Sequence, residues 1–403
     1  MKVKLTELNS GFTGYGRVSR FSQKTRSKMI IAGVLVAVFL FVFILSSVGI
    51  VPFDAITARA SSFIRQDGGN FPISINTDST INTVILGDSV LVLTTENFSV
   101  YSKGGKLTYS QPHSYASPAI SVNGDKAVVF DRSYKAFSLI NEKKVVYSGE
   151  APNAIICAEY GEGGNYAIGT RGEESTSKLT VYSATNKVVF QWNCAYEHIA
   201  SIALASNGKF AGVAVLGTEN GEIYTNVEYF GFDYQEALNS QKISGAAAFD
   251  LEFTATNTLT LYSDSGIYVV TKKGESFETV TQYYSSEFNS YDCSDNGKYI
   301  VSLAKYGSAN NFVISIYSPK GKEKAQISVS CPIKDVILSD KYIFALAESN
   351  ILVYNLSGRE ISKIDVKGEV KSILATDKYI YIVSLDKISR CFSYGNATVE
   401  LSN

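Results

Sequence analysis

Ser89 stands two residues past Gly87, at the end of the apolar run Val84–Leu86, and a serine at such a junction is a place where a nucleophile could sit. It would need a base to take its proton, ordinarily a histidine held by a carboxylate. The chain has two histidines, His113 and His198, and neither falls in a late Asp-x-x-His. Gly87-Asp88 is also a two-residue turn signal between apolar segments, which accounts for the block without any chemistry. Metal chemistry finds no better footing. The five cysteines (Cys157, Cys194, Cys293, Cys331, Cys391) are odd in number and lack a CxxC spacing, so they imply neither a zinc site nor a complete disulfide framework. Asp292, Asp295 and Asn296 offer oxygen ligands, yet Asn296-Gly297 reads as a turn. No residue is assigned to catalysis, a cofactor or a metal, and no cofactor is expected.

Recognition is the chemistry that the remaining polar residues suit. Arg171, Glu173, Glu174 and Lys178 form one group, Glu219, Asn220 and Glu222 a second, and Lys305, Tyr306, Asn310 and Asn311 a third. Tyr196 and His198, and Tyr283 and Tyr284, lie between these groups. Mixed charge, amide and aromatic character of this kind fits a protein or glycan surface, and the plain alternative is solvated loops. Tyr229-Phe230-Gly231-Phe232-Asp233-Tyr234 could stack a ligand, but alternating aromatics in a strand more often pack against neighbouring strands.

The elements that must position these residues recur about every forty residues from Gly69 onward. Each unit reads as an apolar strand, a tight turn, a second apolar strand, then an aromatic-bearing strand entering a Gly-Lys-like turn. Five copies show it: Val100-Tyr101 before Gly105-Lys106, Val181-Tyr182 before Asn186-Lys187, Ile316-Tyr317 before Gly321-Lys322, Val353-Tyr354 before Gly358-Arg359, and Cys391-Phe392 before Gly395-Asn396. The first turns are Gly87-Asp88, Asn123-Gly124, Gly163-Gly164, Asn207-Gly208, Thr256-Asn257, Asn296-Gly297, Asp340-Lys341 and Asp377-Lys378. They mark eight units of four antiparallel strands, and Gly, Asn and Asp suit the positive φ of primed hairpin turns. A period of this size in an all-strand sequence means radially stacked blades. The expected fold is an all-β, eight-bladed β-propeller, or seven-bladed if terminal strands share a blade. Phe71–Asn76 is expected to join the last blade and close the ring, or to be an addition if Ala397–Ser402 supplies that blade's own outer strand. Cys157 and Cys293 open their units while Cys194 and Cys331 fall near the ends of the same two, so they read as small apolar residues, with a disulfide inside one blade as the other reading.

Residues 71–403 resemble the WD40-like and quinoprotein-like propeller superfamilies, most clearly in the stretch from Leu179 to Trp192, with its strand, its Thr185-Asn186-Lys187 turn and its tryptophan. The resemblance implies the propeller fold. A single Trp in the chain and no WD dipeptide mean that it implies no tryptophan girdle and no quinone cofactor. Within the repeat, the span from first turn to third-strand aromatic is stretched in three units. It runs from Gly164 to Tyr182, Asn207 to Tyr229 and Asn296 to Tyr317. The added length lies between the second and third strands, where the polar groups above are found, and insertions gathered on one face of a repeat fold often mark its binding side.

Residues 30–51 contain no charge and as a helix would span about 33 Å, the thickness of a bilayer core. Residues 1–28 carry Lys2, Lys4, Arg17, Arg20, Lys24, Arg26 and Lys28 against Glu7 alone. Removing these from totals of 37 basic and 38 acidic leaves 30 and 37, which excludes the basic footprint of a nucleic-acid binder. The expectation is a basic cytoplasmic tail (1–28), a transmembrane signal-anchor helix (29–51), a polar stalk (52–70) and an extracytoplasmic propeller (71–403), with the N-terminus cytoplasmic. A cleaved signal peptide, with Ala58-Arg59-Ala60 as its site, is the competing reading, and its apolar core would ordinarily be shorter. The expected function is a membrane-anchored scaffold or sensor binding a protein or glycan of the cell envelope. The alternative is an extracytoplasmic lyase or hydrolase with a site at the central channel mouth.

Overall fold

The computed structural model describes residues 70–76, 79–305, 310–393 and 397–400. Within them the chain forms eight antiparallel sheets in sequence order. Seven are built from consecutive strands: blade 1 from residues 80–112, blade 2 from 118–150, blade 3 from 155–194, blade 4 from 198–244, blade 5 from 248–283, blade 6 from 287–329 and blade 7 from 333–367. Blade 8 takes three strands from residues 372–392 and its fourth from Ile73–Ser74, which pairs with Lys387–Phe392. The first strands of neighbouring blades touch one another from blade 1 to blade 5 and from blade 6 round to blade 1, and Tyr291 of blade 6 reaches Asp250 of blade 5 across the remaining interface, so they form the inner wall of a closed ring. The eight-bladed reading holds.

Why the ring closes is legible in the packing. Apolar residues alternate along each strand and face the sheets on either side, which gives one buried cluster for every interface between blades, eight in all among the described residues. The cluster between blades 8 and 1 joins Ile73 and Ile388 to Val90, Val92, Tyr379 and Tyr381. Ile73 is therefore a stitch across the seam. Since Ile73–Ser74 already occupies the place beside Lys387–Phe392, the C-terminal strand Ala397–Glu400 cannot take it. It pairs instead, in parallel, with Glu360–Lys367 of blade 7. This corrects the assignment of Ala397–Ser402 as blade 8's own outer strand.

The repeated aromatic has a defined task. The residue that ends the third strand sits directly across from the residue that opens the second, and the two rings stack: Tyr166 on Tyr182 at 4.7 Å, Tyr299 on Tyr317 at 5.1 Å and Tyr379 on Phe392 at 5.5 Å. The Gly-Lys-like turn that follows is a type I turn with a bulge. Gly105, Asn186, Gly321 and Gly358 take positive φ there, each N–H donates to the carbonyl three residues back, and the ladder slips by one. The basic residue after each, Lys106, Lys187, Lys322 or Arg359, is exposed at the start of the fourth strand. The expectation of positive φ is corrected for Thr256-Asn257, Asp340-Lys341 and Asp377-Lys378, which turn without it. The last two are closed by Ser339 and Thr376 accepting from the amides of Tyr342 and Tyr379.

The three stretched units differ in how they use their extra residues. Blade 3 has a loop at residues 172–176 and blade 6 a longer one at 305–311, of which residues 306–309 lie outside the described residues. Blade 4 uses them to extend a hairpin, Phe210–Glu219 and Glu222–Gly231, paired along its whole length. Its tip is Asn220-Gly221 with φ of 53° and 83°. Two consecutive positive values make a type I′ turn, for which Asn-Gly is the favoured pair. The described residues contain no helix long and apolar enough to cross a membrane; residues 29–51 lie outside them.

Candidate functional site

Of the fifteen residues singled out in the sequence, most lie on one face of the disc, the face of the second-to-third-strand connections and of the links between blades. Arg171 ends the second strand of blade 3, Glu173 and Glu174 are exposed in the following loop, and Lys178 is half-buried in the third strand. Tyr196 is 88% exposed in the link to blade 4, and His198 is exposed where that blade begins. Glu219, Asn220 and Glu222 form the hairpin tip, where Lys242 reaches Glu219 at 2.7 Å and lies over the Tyr224 ring at 4.0 Å. These residues are drawn together by Glu197, whose carboxylate accepts from Tyr224 Oη at 3.0 Å and Cys194 Sγ at 3.3 Å. The rest of the set stands apart from this group, around blade 6. Tyr283 is 75% exposed, Tyr284 is half-buried and stacks on Phe288 at 5.6 Å, and Lys305 donates its N–H to the carbonyl of Asn311, next to the exposed Asn310. Tyr306 lies outside the described residues.

A second site lies at the ring's central channel, where the alternative reading of the sequence put one without naming its residues. A cavity of about 810 Å³ runs along the inner strands of blades 2 to 6 and reaches their first turns, on the opposite face from the residues above. Its wall is acidic: Glu159, Asp250 and Glu252 line it, with Asp125, Glu162 and Asp295 toward the turns, and Arg132 and Lys126 are its basic residues. Lys126 is engaged by Asp125 at 3.1 Å. Among the described residues, Glu159, Asp250, Glu252 and the neighbouring Asp292 make no ion pair.

A local device aims these side chains. In blades 1, 3, 4, 5, 6 and 7 the inner strand carries a bulge one residue before Asn82, Cys157, Ser201, Asp250, Ser290 and Asp335 respectively. A bulge breaks the ladder and re-aims the side chains just past it. The side chains of Asn82, Asp250 and Asp335 each accept the next residue's N–H at 2.8 Å, the pattern by which short polar side chains satisfy freed backbone groups. The carboxylates then reach across blades. Asp250 accepts from Ser201 Oγ of blade 4 at 3.1 Å and from Tyr291 Oη of blade 6 at 2.6 Å. Glu159 accepts from Ser121 and Asn123 of blade 2, and Asp292 from the Leu338 N–H of blade 7 at 2.6 Å.

Burial dominates their electrostatics, because a carboxylate in the wall loses water and gains no cation. It pushes Glu159 up to about 8, opposed by the Ser121 hydrogen bond and reinforced by the charge of Asp250. Burial also pushes Glu252 up to about 8, with Asp250 again adding to the shift. Asp292 rises to about 7 for the same reason, restrained by the N–H groups of Leu338 and Cys293. Burial raises Asp250 too, against the three donors that favour its charged form.

Chemistry of the other motifs is quickly resolved. Gly87-Asp88 is the first turn of blade 1, and Ser89 Oγ and the Asp88 N–H both donate to Glu142, at 2.9 and 2.7 Å. His113 is tied to the Thr94 carbonyl at 3.0 Å and accepts the Tyr115 N–H at 3.1 Å. All five cysteines are free, and Cys157 and Cys293 line the cavity. Among the described residues no group of three His, Cys, Asp or Glu side chains is placed to hold a metal ion. The signal for the channel was present as Asp250-x-Glu252 inside the mostly apolar strand Ala248–Ala255. Two acids at strand spacing share one side of the strand.

Comparison with known proteins speaks to the fold. The chain is similar to BamB from Moraxella catarrhalis, with 10% identity, 80% of this chain and 98% of that one covered, and a TM-score of 0.49. It is similar also to apo AztD from Citrobacter koseri, with 11% identity, coverages of 78% and 90%, and a TM-score of 0.51. At such identities the likeness concerns architecture alone. No curated protein matches the chain. A family model, described as a family of unknown function, DUF5711, matches residues 72–391, and the chain, whose match takes in every blade, belongs to that family.

Proposed function

We propose that this protein is a single-pass, membrane-anchored scaffold or sensor whose extracytoplasmic propeller binds a protein or glycan of the cell envelope. The observation that carries the reading is the blade 4 hairpin. Pairing with the first strand of its blade stops at Leu216 and with the fourth at Tyr224. The two pairs Thr218–Ile223 and Glu219–Glu222, with the Asn220-Gly221 tip, therefore project beyond both neighbours, by roughly 7 Å at strand rise. Beside it stand Tyr196 and the exposed loop of blade 3. A stiff, solvated projection flanked by an exposed aromatic is an economical recognition element, since tyrosine offers contact area at low conformational cost. The anchor rests on the uncharged stretch 30–51 and the basic tail before it.

The test is site-specific photocrosslinking in the intact membrane, with the probe at Tyr196 and, as control, at Lys187 on the opposite face. The reading expects one adduct from position 196 that disappears when residues 218–223 are replaced by a two-residue Asn-Gly turn. Equal adducts from both positions, or adducts indifferent to the shortened hairpin, would defeat it. Protease protection of the tail in sealed vesicles checks the orientation. The channel favours a second reading, an enzyme using Glu159 and Glu252 for proton transfer, because carboxyls that titrate near neutrality suit general acid and base work. Turnover abolished by Glu252→Gln and untouched by the shortened hairpin would select it.

A further inference from the structure

We propose that the carboxyl wall of blades 2 to 6 is a proton-held clasp: uncharged, it lets neighbouring blades close tightly, and when Glu159, Glu252 and Asp292 ionise together their repulsion loosens the ring on that side alone. The geometry sets these carboxyls at the interfaces between blades, where their oxygens accept the bonds that hold them in either protonation state. Carboxyl-centred hydrogen bonds cross the interface of blades 2 and 3 at Glu159, of 4 and 5 and of 5 and 6 at Asp250, and of 6 and 7 at Asp292. The same groups crowd one another. Glu252 feels Asp250 on its own strand, Asp292 on blade 6 and Glu159 on blade 3. Asp292 feels Asp335 of blade 7 and Asp295 of its own turn.

The other titratable groups facing the wall do not relieve this crowding. Cys293 and Tyr262 face Glu252, and Tyr291 faces Asp250; burial holds all three in their neutral forms. Arg132 acts on Cys157, beside Glu159, and Lys126 is taken by Asp125. Deprotonation thus adds negative charge to a channel with little to balance it. The carboxyl pKa values near 7 and 8 place that change between pH 6 and 9. Blades 5 and 6 carry three of the crowded acids and are where the ring should give.

The experiment compares the full-length protein in detergent with Glu159→Gln, Glu252→Gln and the double variant, all close in size to the wild type. The wild-type thermal midpoint should fall as pH rises from 6 to 9, and the double variant should lose at least half of that fall. At pH 8.5, where intrinsic exchange rates are common to both proteins, amides of residues 248–255 and 287–293 should exchange several-fold faster in the wild type than in the double variant. Those of residues 80–86 should match. An equally steep fall in the double variant, or faster exchange spread evenly round the ring, overturns the clasp. If the variants fail to accumulate, wild-type exchange at pH 6 and 8.5, corrected for intrinsic rates, decides the matter by the same contrast between strands.

Discussion

Three residues past the bulge, the inner strands of blades 3, 5 and 6 carry Glu159, Glu252 and Asp292, whereas those of blades 1 and 7 carry Val84 and Ile337. Backbone, register and depth are alike, and the chemistry is opposite. The apolar arc does what a propeller's inner wall must do for stability. At the seam its Ile85 and Leu374 pack against the cluster in which Ile73 and Ile388 are buried with Tyr381. The acidic arc does something that stability does not ask for, since each carboxyl there is half-buried without a cation. Groups arranged against the local rule, in a cavity, mark a place where another requirement has prevailed.

The contrast can be broken from either side. At the seam behind the apolar arc, Ile388→Ala should cost about 3 kcal/mol, by lost burial and the cavity left behind. Denaturant melts at pH 5.5 and 8.5 should show the same loss, because no titrating group is involved; a strongly pH-dependent loss would erase the distinction between arcs. Transplanting acidity, Ile337→Glu should destabilise by roughly 2 kcal/mol at pH 8.5 and less at pH 5.5. The sign comes from proton counting. A carboxyl whose folded pKa is raised contributes most below its unfolded value and loses that contribution as pH climbs through the folded value. For Glu159, Glu252 and Asp292 the window runs from about pH 4 up to their folded values of about 7 to 8. On the acidic arc, Tyr291→Phe removes a donor from Asp250 and should cost about 1.5 kcal/mol, read by the same melts. Smallest of all, shortening the blade 4 hairpin should change stability by no more than about 0.5 kcal/mol, leaving its effect, if the binding reading is right, confined to partner capture.

How far the sequence carries the reader depends on whether the signal is local. The turn marks Gly87-Asp88 through Asp377-Lys378 are local, and they predict blade number and strand order because a turn's residue preferences are written in adjacent positions. The closing of the ring by Ile73–Ser74 was one of two options in the sequence. Which end of the chain wins blade 8 is a competition between segments more than three hundred residues apart, and no neighbouring residue records it. The length of the blade 4 insertion was legible; its form, a paired hairpin, could have been read from Asn220-Gly221, where the type I′ preference is strong. The channel mouth was named as an alternative place for a site, but its acidic residues were missed because they have no contiguous signature. Glu159, Glu252 and Asp292 come within reach of one another's charge only once four blades have curved round an axis, and each looks, in its own strand, like a stray polar residue.

The two-residue strand at Ile73–Ser74 also sets a schedule for biogenesis. Its partner Lys387–Phe392 is among the last segments of the described chain to be synthesised. Blades 1 to 7 can each assemble as their four strands emerge, but Ile73–Ser74, the first of the described strands to be made, must wait for nearly the whole domain. Contacts between such distant segments are slow to form. A ribosome that stalls or a chain cut short before Lys387 would thus leave a row of finished blades with no seam, and its two exposed apolar flanks would be the natural target for chaperones and proteases.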